Sequence, residues 1–240
     1  MDTLLKGRHV VVTGASGSLG AEVARLAWQQ GAVCHLPVRG SAPEGLLPHS
    51  DHVRWVEHVD VSDEDAVRRL YAGLPELWAS VHCVGAWRGG PLAETRLEDL
   101  SMLLALNFTS AFLCSRAALA VMRRGGRGGR LVHVVARPAL EPRTGAGQCA
   151  YAASKGALTA FTVALAEELA DEGVLVNAVA PSVLARPDDG APVGLPTPRD
   201  VAQAILALAS PANVAVQGAL LPVYGRHHPA ASAGVATAAT

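Results

Sequence analysis
Tyr151 and Lys155 stand one helical turn apart in Tyr151-Ala152-Ala153-Ser154-Lys155, at the opening of a long apolar helical pattern. Residues at i and i+4 share one face of a helix, so a phenol and an ammonium converge on one reacting atom. The pair suits proton transfer, because an adjacent cation favours phenolate and lowers a tyrosine pKa from its usual value of about 10. Tyr-x-x-x-Lys also occurs on ordinary helix surfaces, and the elements that position it decide its meaning.

The first such element is the apolar run His9 to Val12, followed at once by Gly14-Ala15-Ser16-Gly17-Ser18-Leu19-Gly20 and then by helical spacing from Ala21 to Gln30. Strand, glycine turn and helix in this order bring backbone N–H groups and a helix N-terminus to a pyrophosphate, and the glycines permit close approach. Gly31 to Val38 reads as a second strand ending at Arg39. In dinucleotide folds a carboxylate about 20 residues beyond the glycines holds the adenine ribose, whereas an arginine there accommodates a 2′-phosphate. Arg39, with no carboxylate before Glu44, favours NADP(H) over NAD(H), although a lone arginine is also ordinary surface chemistry.

Val53 to Val59 forms a third strand, and Asp60-Val61 at its end reaches toward the adenine or serves only as a turn. Ser62 starts a helix with an acidic first turn. Ala79 to Val84 is a fourth strand running into Cys83-Val84-Gly85, where glycine leaves room for a cofactor against the backbone. Leu97 to Met122 is one helical pattern, with Asn107 set among Leu and Phe. Leu131 to Val135 is a fifth strand. Residues 136–149 read as loop, and Tyr151 to Ala170 as a helix with one stripe of Leu158, Phe161, Leu165 and Leu169. A second face of Ala153, Ala157, Ala160 and Ala164 points to another packing partner, either a second subunit or the rest of the monomer. Val174 to Val179 is a sixth strand leading to Pro181-Ser182-Val183-Leu184. Residues 185–198 connect to a helix over 199–210, Ala219 to Val223 closes the sheet, and residues 227–240 form a flexible tail.

This alternation predicts an α/β fold: a single-domain, Rossmann-type, doubly wound parallel sheet with helices on both faces, spanning residues 1–226. Ligands in such sheets bind beyond the carboxyl ends of the strands, where every candidate above falls. Half of the 240 residues are hydrophobic and 17% are charged, enough for a large core, and the formal charge of -1 supplies no field for nucleic acid or an anionic membrane. Cys34, Cys83, Cys114 and Cys149 lack metal or disulfide spacing, and the histidines form no metal motif. No apolar run has membrane-spanning length with the right flanks, so a cytoplasmic protein without membrane contact is expected.

Taken together, Thr13-Gly14-x-x-Gly17-x-x-Gly20, Asp60-Val61, Asn107, Tyr151-x-x-x-Lys155 and Val176-Asn177-Ala178-Val179-Ala180-Pro181 resemble the short-chain dehydrogenase/reductase family over most of the chain. The resemblance implies a nicotinamide-dependent oxidoreductase acting on a small molecule, with Tyr151 as proton donor or acceptor. Lys155 would hold the nicotinamide ribose and lower the tyrosine pKa, and Asn107 would hold a relay water. Gly14, Ser16, Gly17, Ser18, Leu19, Gly20, Arg39, Asp60, Val61, Cys83, Val84, Gly85, Tyr151, Lys155, Pro181, Ser182 and Leu184 would bind the cofactor. A homodimer or homotetramer through the long helices is implied.

Several residues depart from the family pattern. Ala136 stands where the family places a carbonyl-binding Ser, with Thr144, Ser182 and His133 as conjectural replacements. His82-Cys83-Val84-Gly85 replaces Asn-Asn-Ala-Gly, Ser182 replaces a Gly, and Arg186 replaces a Thr. Cys83 to Gly90 and Ala136 to Leu140 resemble the dihydropteridine-reductase-like subgroup, which lacks that Ser and reduces an activated quinonoid ring. The sequence expectation is an NADPH-dependent reductase of a small carbonyl or a conjugated imine- or pterin-like ring; the alternative is a non-catalytic NADP(H)-binding or oligomeric module with a degenerated site.

Overall fold
The computed structural model describes residues 4–48, 50–185 and 194–225. Its centre is a seven-stranded sheet in which every neighbouring pair is parallel. The strands are β1 (His9–Thr13), β2 (Val33–Pro37), β3 (Val53–Val56), β4 (Ala79–His82), β5 (Gly129–Val134), β6 (Val174–Pro181) and β7 (Leu220–Val223), and their spatial order is 3-2-1-4-5-6-7. The order reverses between β1 and β4, which opens the crevice where such sheets take ligands. Helices α1 (Ser18–Gln29) and α7 (Pro198–Ala209) cover one face, burying Val23, Ala24, Val201 and Ile205 against Val10, Val12, Val81 and Val132.

On the other face lie α2 (Glu64–Ala72), α4 (Ser110–Gly125) and α6 (Cys149–Glu168), which close over Val11, Leu131, Val174 and Val176. A shorter helix, α3 (Leu97–Leu104), runs into α4, and α5 (Arg137–Leu140) follows β5. The expected doubly wound architecture is therefore present. Central strands buried on both faces read as continuous apolar runs, which is why Val10 to Val12 was legible as a strand.

Three local features differ from the sequence expectation. The helix expected over residues 97–122 is interrupted at Ala105–Thr109 by a wider π-helical turn. Residues 136–149, expected as loop, contain α5 and a 3₁₀ turn at Pro142–Gly145, where an Arg137–Glu141 ion pair of 2.7 Å spans i to i+4. The helix after the glycine loop begins at Ser18 because Gly17 already takes the N-cap position, its carbonyl accepting from Ala21 N–H. Arg186 and the expected tail at residues 227–240 lie outside the described residues, as does most of the 185–198 connection. Two segments, Leu97–Gly125 and Cys149–Glu168, are long and apolar enough to cross a bilayer by composition alone; here both pack an apolar stripe on the sheet.

The buried face beneath α2, α4 and α6 is not purely apolar. His82 and His133 sit on adjacent strands with rings stacked 5.2 Å apart, and His9 and His35 form a second stacked pair at 5.1 Å. Burial holds the His35 imidazole down at about 4 and that of His133 at about 3. In the unfolded chain both return to about 6.5, so below that pH the unfolded state binds more protons than the folded one. Folding stability should therefore fall as pH drops from 6.5 toward 4, by about 1.4 kcal/mol per pH unit for each such histidine. Urea unfolding at pH 7 and pH 5 measures this; an unchanged midpoint would show that these imidazoles titrate normally.

Candidate active site
The glycine loop is shaped by contacts that leave no room for side chains. Gly14 has φ +72°, and a Cβ built on it would lie 2.9 Å from the carbonyl carbon of Cys83. A Cβ on Gly20 would come 2.2 Å from Gly14 O, so α1 can start against the turn only without one. The turn is closed by Gly17 N–H donating to Gly14 O at 2.9 Å. Ser16, Gly17 and Ser18 are exposed and Leu19 is half-buried, and no side chain caps α1. The first amides of the helix thus face outward beside the crevice, as anion recognition at a helix N-terminus requires.

Across the crevice, β4 ends at His82 and the chain continues through Cys83, Val84 and Gly85. A Cβ on Gly85 would sit 2.8 Å from Asn107 Oδ1 and 3.2 Å from Lys155 Nζ. That single absent methyl brings three segments of the sequence together. Asn107 Oδ1 accepts from Ala86 N–H at 2.8 Å, while its Nδ2 donates to Ala86 O and to Ser154 Oγ, each at 2.9 Å. Asn107 lies inside the π-helical turn, where the extra residue swings its amide out of the α3–α4 line to reach Ala86. Both amide hydrogens are thus spent on protein, and Oδ1 accepts one of the two bonds it can take.

Lys155 is buried, and its Nζ donates to Val134 O at 2.7 Å. Desolvation pulls its pKa down to about 8, opposed by the neighbouring Cys83. Ser154, also buried, donates to Tyr151 O at 2.8 Å and so ties the start of α6 to Asn107. Tyr151 is half-buried, and its hydroxyl has no hydrogen-bond partner among the described residues. Burial raises its pKa. The Lys155 ammonium donates to Val134 O, and the shift at the phenol comes from desolvation.

The remaining expected positions fall along the same rim. Pro181 ends β6, and Ser182 donates to Tyr224 O at 3.2 Å. Leu184 packs on the core next to α1 and α7. Arg39 is exposed just past β2. Asp60 Oδ1 accepts from both Ser62 N–H at 2.8 Å and Ser62 Oγ at 2.6 Å, which holds its carboxyl below the usual range, with a smaller contribution from Arg39. Asp60 is thus a turn-former whose charge also lies near Arg39, and Val61 beside it is buried. Of the three conjectured replacement donors, His133 is withdrawn into the core with both ring nitrogens engaged, and Thr144 donates to Glu141 O.

Two features were missed by sequence reasoning. Trp87 is 68% exposed yet pinned: its Nε1 donates to Gln148 Oε1 at 2.6 Å, and a Cβ on Gly89 would meet its ring at 2.7 Å. Gly90 N–H also donates to Gly147 O at 2.7 Å, so the loop after β4 is stitched to the segment leading into Tyr151. A cavity of ≈ 90 Å³ lies between them, lined by Arg88, Asp99, Leu103, Gln148 and Ala150 among others. The only signal in the sequence was an aromatic residue among glycines, which does not reveal its partner.

Comparison with known proteins agrees with this geometry. The short chain dehydrogenase family model matches residues 8–188. The chain is 32% identical to the cis-4-hydroxycyclohexanecarboxylate dehydrogenase of Sinomonas cyclohexanicum, over 91% of this chain and 95% of that one. It is 28% identical to the 3-oxoacyl-[acyl-carrier-protein] reductase of Vibrio cholerae, over 92% and 97% respectively. A crystal structure of a putative short-chain dehydrogenase/reductase from Burkholderia xenovorans superposes with a TM-score of 0.82 at 28% identity, covering 92% of this chain and 97% of that one. The chain belongs to the short-chain dehydrogenase/reductase family, a family of oxidoreductases that use NAD(P)(H).

The Gly85 contact supplies a direct test of the site. Gly85→Ala should push Lys155 and Asn107 apart at a cost of about 1–3 kcal/mol. Titration of the variant with NADH and NADPH, followed by tryptophan fluorescence, should show binding of whichever the wild-type protein takes weakened about tenfold or more, since 1.4 kcal/mol is a factor of ten. Unaltered affinity would mean that Gly85 does not border the cofactor.

Proposed function
We propose that the protein is an NADPH-dependent reductase of a small carbonyl or a conjugated imine- or pterin-like ring, with Tyr151 as the proton donor. The observation that carries this reading is the convergence of Gly85, Asn107, Ser154 and Lys155 at the start of the helix that bears Tyr151, whose hydroxyl has no hydrogen-bond partner among the described residues. The crevice fits a dinucleotide: Gly14, Gly17 and Gly20 exclude side chains where a pyrophosphate lies, and Ser16, Ser18 and Leu19 present the helix start. Arg39 would take the 2′-phosphate, Asp60 and Val61 the adenine, Cys83 to Gly85 the adjoining ribose, and Pro181, Ser182 and Leu184 the nicotinamide end. When bound, the cofactor supplies the hydride.

The chain's own residues supply the proton and the orientation. Burial keeps the Tyr151 phenol protonated at neutral pH, which equips it to donate in the reducing direction. Lys155, anchored on Val134 O, would give its remaining N–H bonds to the nicotinamide ribose of a bound cofactor. Ala136, just beyond β5, brings no hydroxyl to the carbonyl. An oxyanion donor is worth about 10²–10³ in rate where one is needed, so a substrate already activated by conjugation suits this site better than a plain ketone. The pinned, exposed Trp87 indole beside the entrance gives a planar ring a stacking surface.

A second copy of the chain would cover Phe112 on α4 and Val163 with Ala153, Ala160 and Ala164 on α6, all exposed here, giving a dimer or tetramer readable by sedimentation equilibrium. All four cysteines are free, in keeping with a cytoplasmic setting.

Purified protein should oxidise NADPH in preference to NADH with a member of a carbonyl and quinonoid-pterin panel. Tyr151→Phe should remove nearly all turnover while leaving NADPH affinity within about threefold, since it deletes a proton and little binding surface. Tight NADPH binding with no turnover by the wild-type protein on any panel member would favour the non-catalytic reading. Lys155 carries its charge below a pKa of about 8, so NADPH affinity should be level from pH 6 to 7.5 and decline as pH rises through about 8. A flat affinity profile to pH 9.5 would contradict Lys155 as a charged contact.

A further inference from the structure
Behind the site a chain of buried hydrogen bonds crosses the molecule from α2 to α6. Tyr71 Oη lies 2.7 Å from Ser80 Oγ, which lies 2.8 Å from His82 Nε2. His82 Nδ1 faces Ser115 Oγ at 3.5 Å, and Ser115 Oγ lies 2.9 Å from His133 Nε2. His133 Nδ1 lies 2.8 Å from Thr162 Oγ1, which donates to Leu158 O at 2.7 Å. Tyr71, Ser80, His82, Ser115, His133 and Thr162 are all buried.

Counting hydrogens fixes the direction of the links around a neutral His133. Thr162 has one hydroxyl hydrogen and spends it on Leu158 O, so it accepts from His133, and His133 carries its hydrogen on Nδ1. His133 Nε2 is then a lone pair and must receive the Ser115 hydroxyl. Ser115 Oγ in turn presents a lone pair toward His82 Nδ1 at 3.5 Å, a separation too long to fix the His82 tautomer. His82 Nε2 bonds Ser80 Oγ, and Ser80 Oγ bonds Tyr71 Oη, which is also hydrogen-bonded to the Cys114 sulfur. The result is a buried series of two neutral imidazoles in which the His133 tautomer is defined and every side chain named is hydrogen-bonded, the condition under which a buried polar network rigidifies a core instead of weakening it.

The far end of this series bears on the active site. Thr162 and Lys155 lie two turns apart on α6, and their partners, the His133 ring and Val134 O, are consecutive positions of β5. Helix α6 is thus fastened to one strand at two points, one of which is the lysine itself. Through Ser115 the same series holds α4, which follows the turn carrying Asn107. We propose that Thr162 and His133 are positioning residues that set the height of α6 on the sheet and so place Lys155 for the cofactor. The claim rests on the functional reading above for its kinetic consequence but not for its chemistry.

The groups facing the two imidazoles are Tyr71 from α2, Cys114 and Ser115 from α4, and Phe161, Thr162 and Lys155 from α6. No carboxylate is among these partners. Long-range ¹⁵N–¹H correlation of histidine-labelled, cofactor-free protein should show His82 and His133 neutral at pH 7, with the His133 hydrogen on Nδ1. Either ring protonated, or His133 with its hydrogen on Nε2, overturns the assignment whatever the protein catalyses.

The positioning role is read with Thr162→Val, which keeps the shape and deletes the acceptor, and with Thr162→Ser, which restores it. Thr162→Val should lower kcat/KM about tenfold to a hundredfold through a displaced Lys155, with NADPH Kd raised, and Thr162→Ser should recover most of both. A folded Thr162→Val with wild-type Kd and kcat/KM defeats the proposal. Should Thr162→Val not fold, Ser115→Ala interrupts the series at its centre and carries the same expectations. Failure of the wild-type protein to bind NADPH would sink the functional reading while leaving the tautomer result to stand or fall separately.

Discussion

A buried ammonium with one described protein partner is the constraint around which this structure is arranged. Lys155 Nζ is out of water and bonded to Val134 O, and desolvation lowers its pKa to about 8. The surroundings are adapted to keep it there. Gly85 leaves the space it occupies, Cys83 opposes the loss of its charge, and the carbonyl of a central strand accepts its hydrogen. Buried cations are stable only with such partners, and the unused N–H bonds of this one are available to a bound ligand.

The sheet supplies the rigidity that such an arrangement needs. With strand order 3-2-1-4-5-6-7, the ends of β1 and β4 part where the chain changes direction, and the Gly14 turn packs directly on the Cys83 backbone across that gap. The floor of the crevice is therefore backbone against backbone. Its wall is the pair of long helices, and these are fixed by polar contacts within an apolar layer: Asn107 to Ala86 and Ser154, Ser115 to His133, and His133 to Thr162. Apolar packing tolerates sliding by fractions of an ångström, whereas a satisfied set of directional bonds tolerates little.

The Asn107 turn shows how local structure and function are traded. A continuous helix over residues 97–125 would satisfy its own backbone and leave Ala86 without its side-chain partner. The wider turn at Ala105–Thr109 perturbs the regular helix and gains three hydrogen bonds from one amide. π-Turns recur at functional sites for this reason: they re-aim one side chain without ending the helix.

Much of this was legible in the residues. The apolar runs of the central strands, the glycine turn between a strand and a helix, and the four-residue spacing of Tyr151 and Lys155 are local patterns, and each reports a local constraint: burial on both faces, absence of room for a Cβ, and a shared helical face. Together they determined the doubly wound class and the rim on which the site lies. What only the tertiary structure decided depends on partners far apart in the chain: that Asn107 spends its amide on Ala86 and Ser154, that Lys155 turns to Val134 O, that burial raises the Tyr151 pKa, that His133 belongs to the core, and that Gln148 pins Trp87. A hydrogen bond between residues separated by 47 or 61 positions leaves no period and no spacing in the sequence, because its two ends are brought together only by the packing of helices on the sheet.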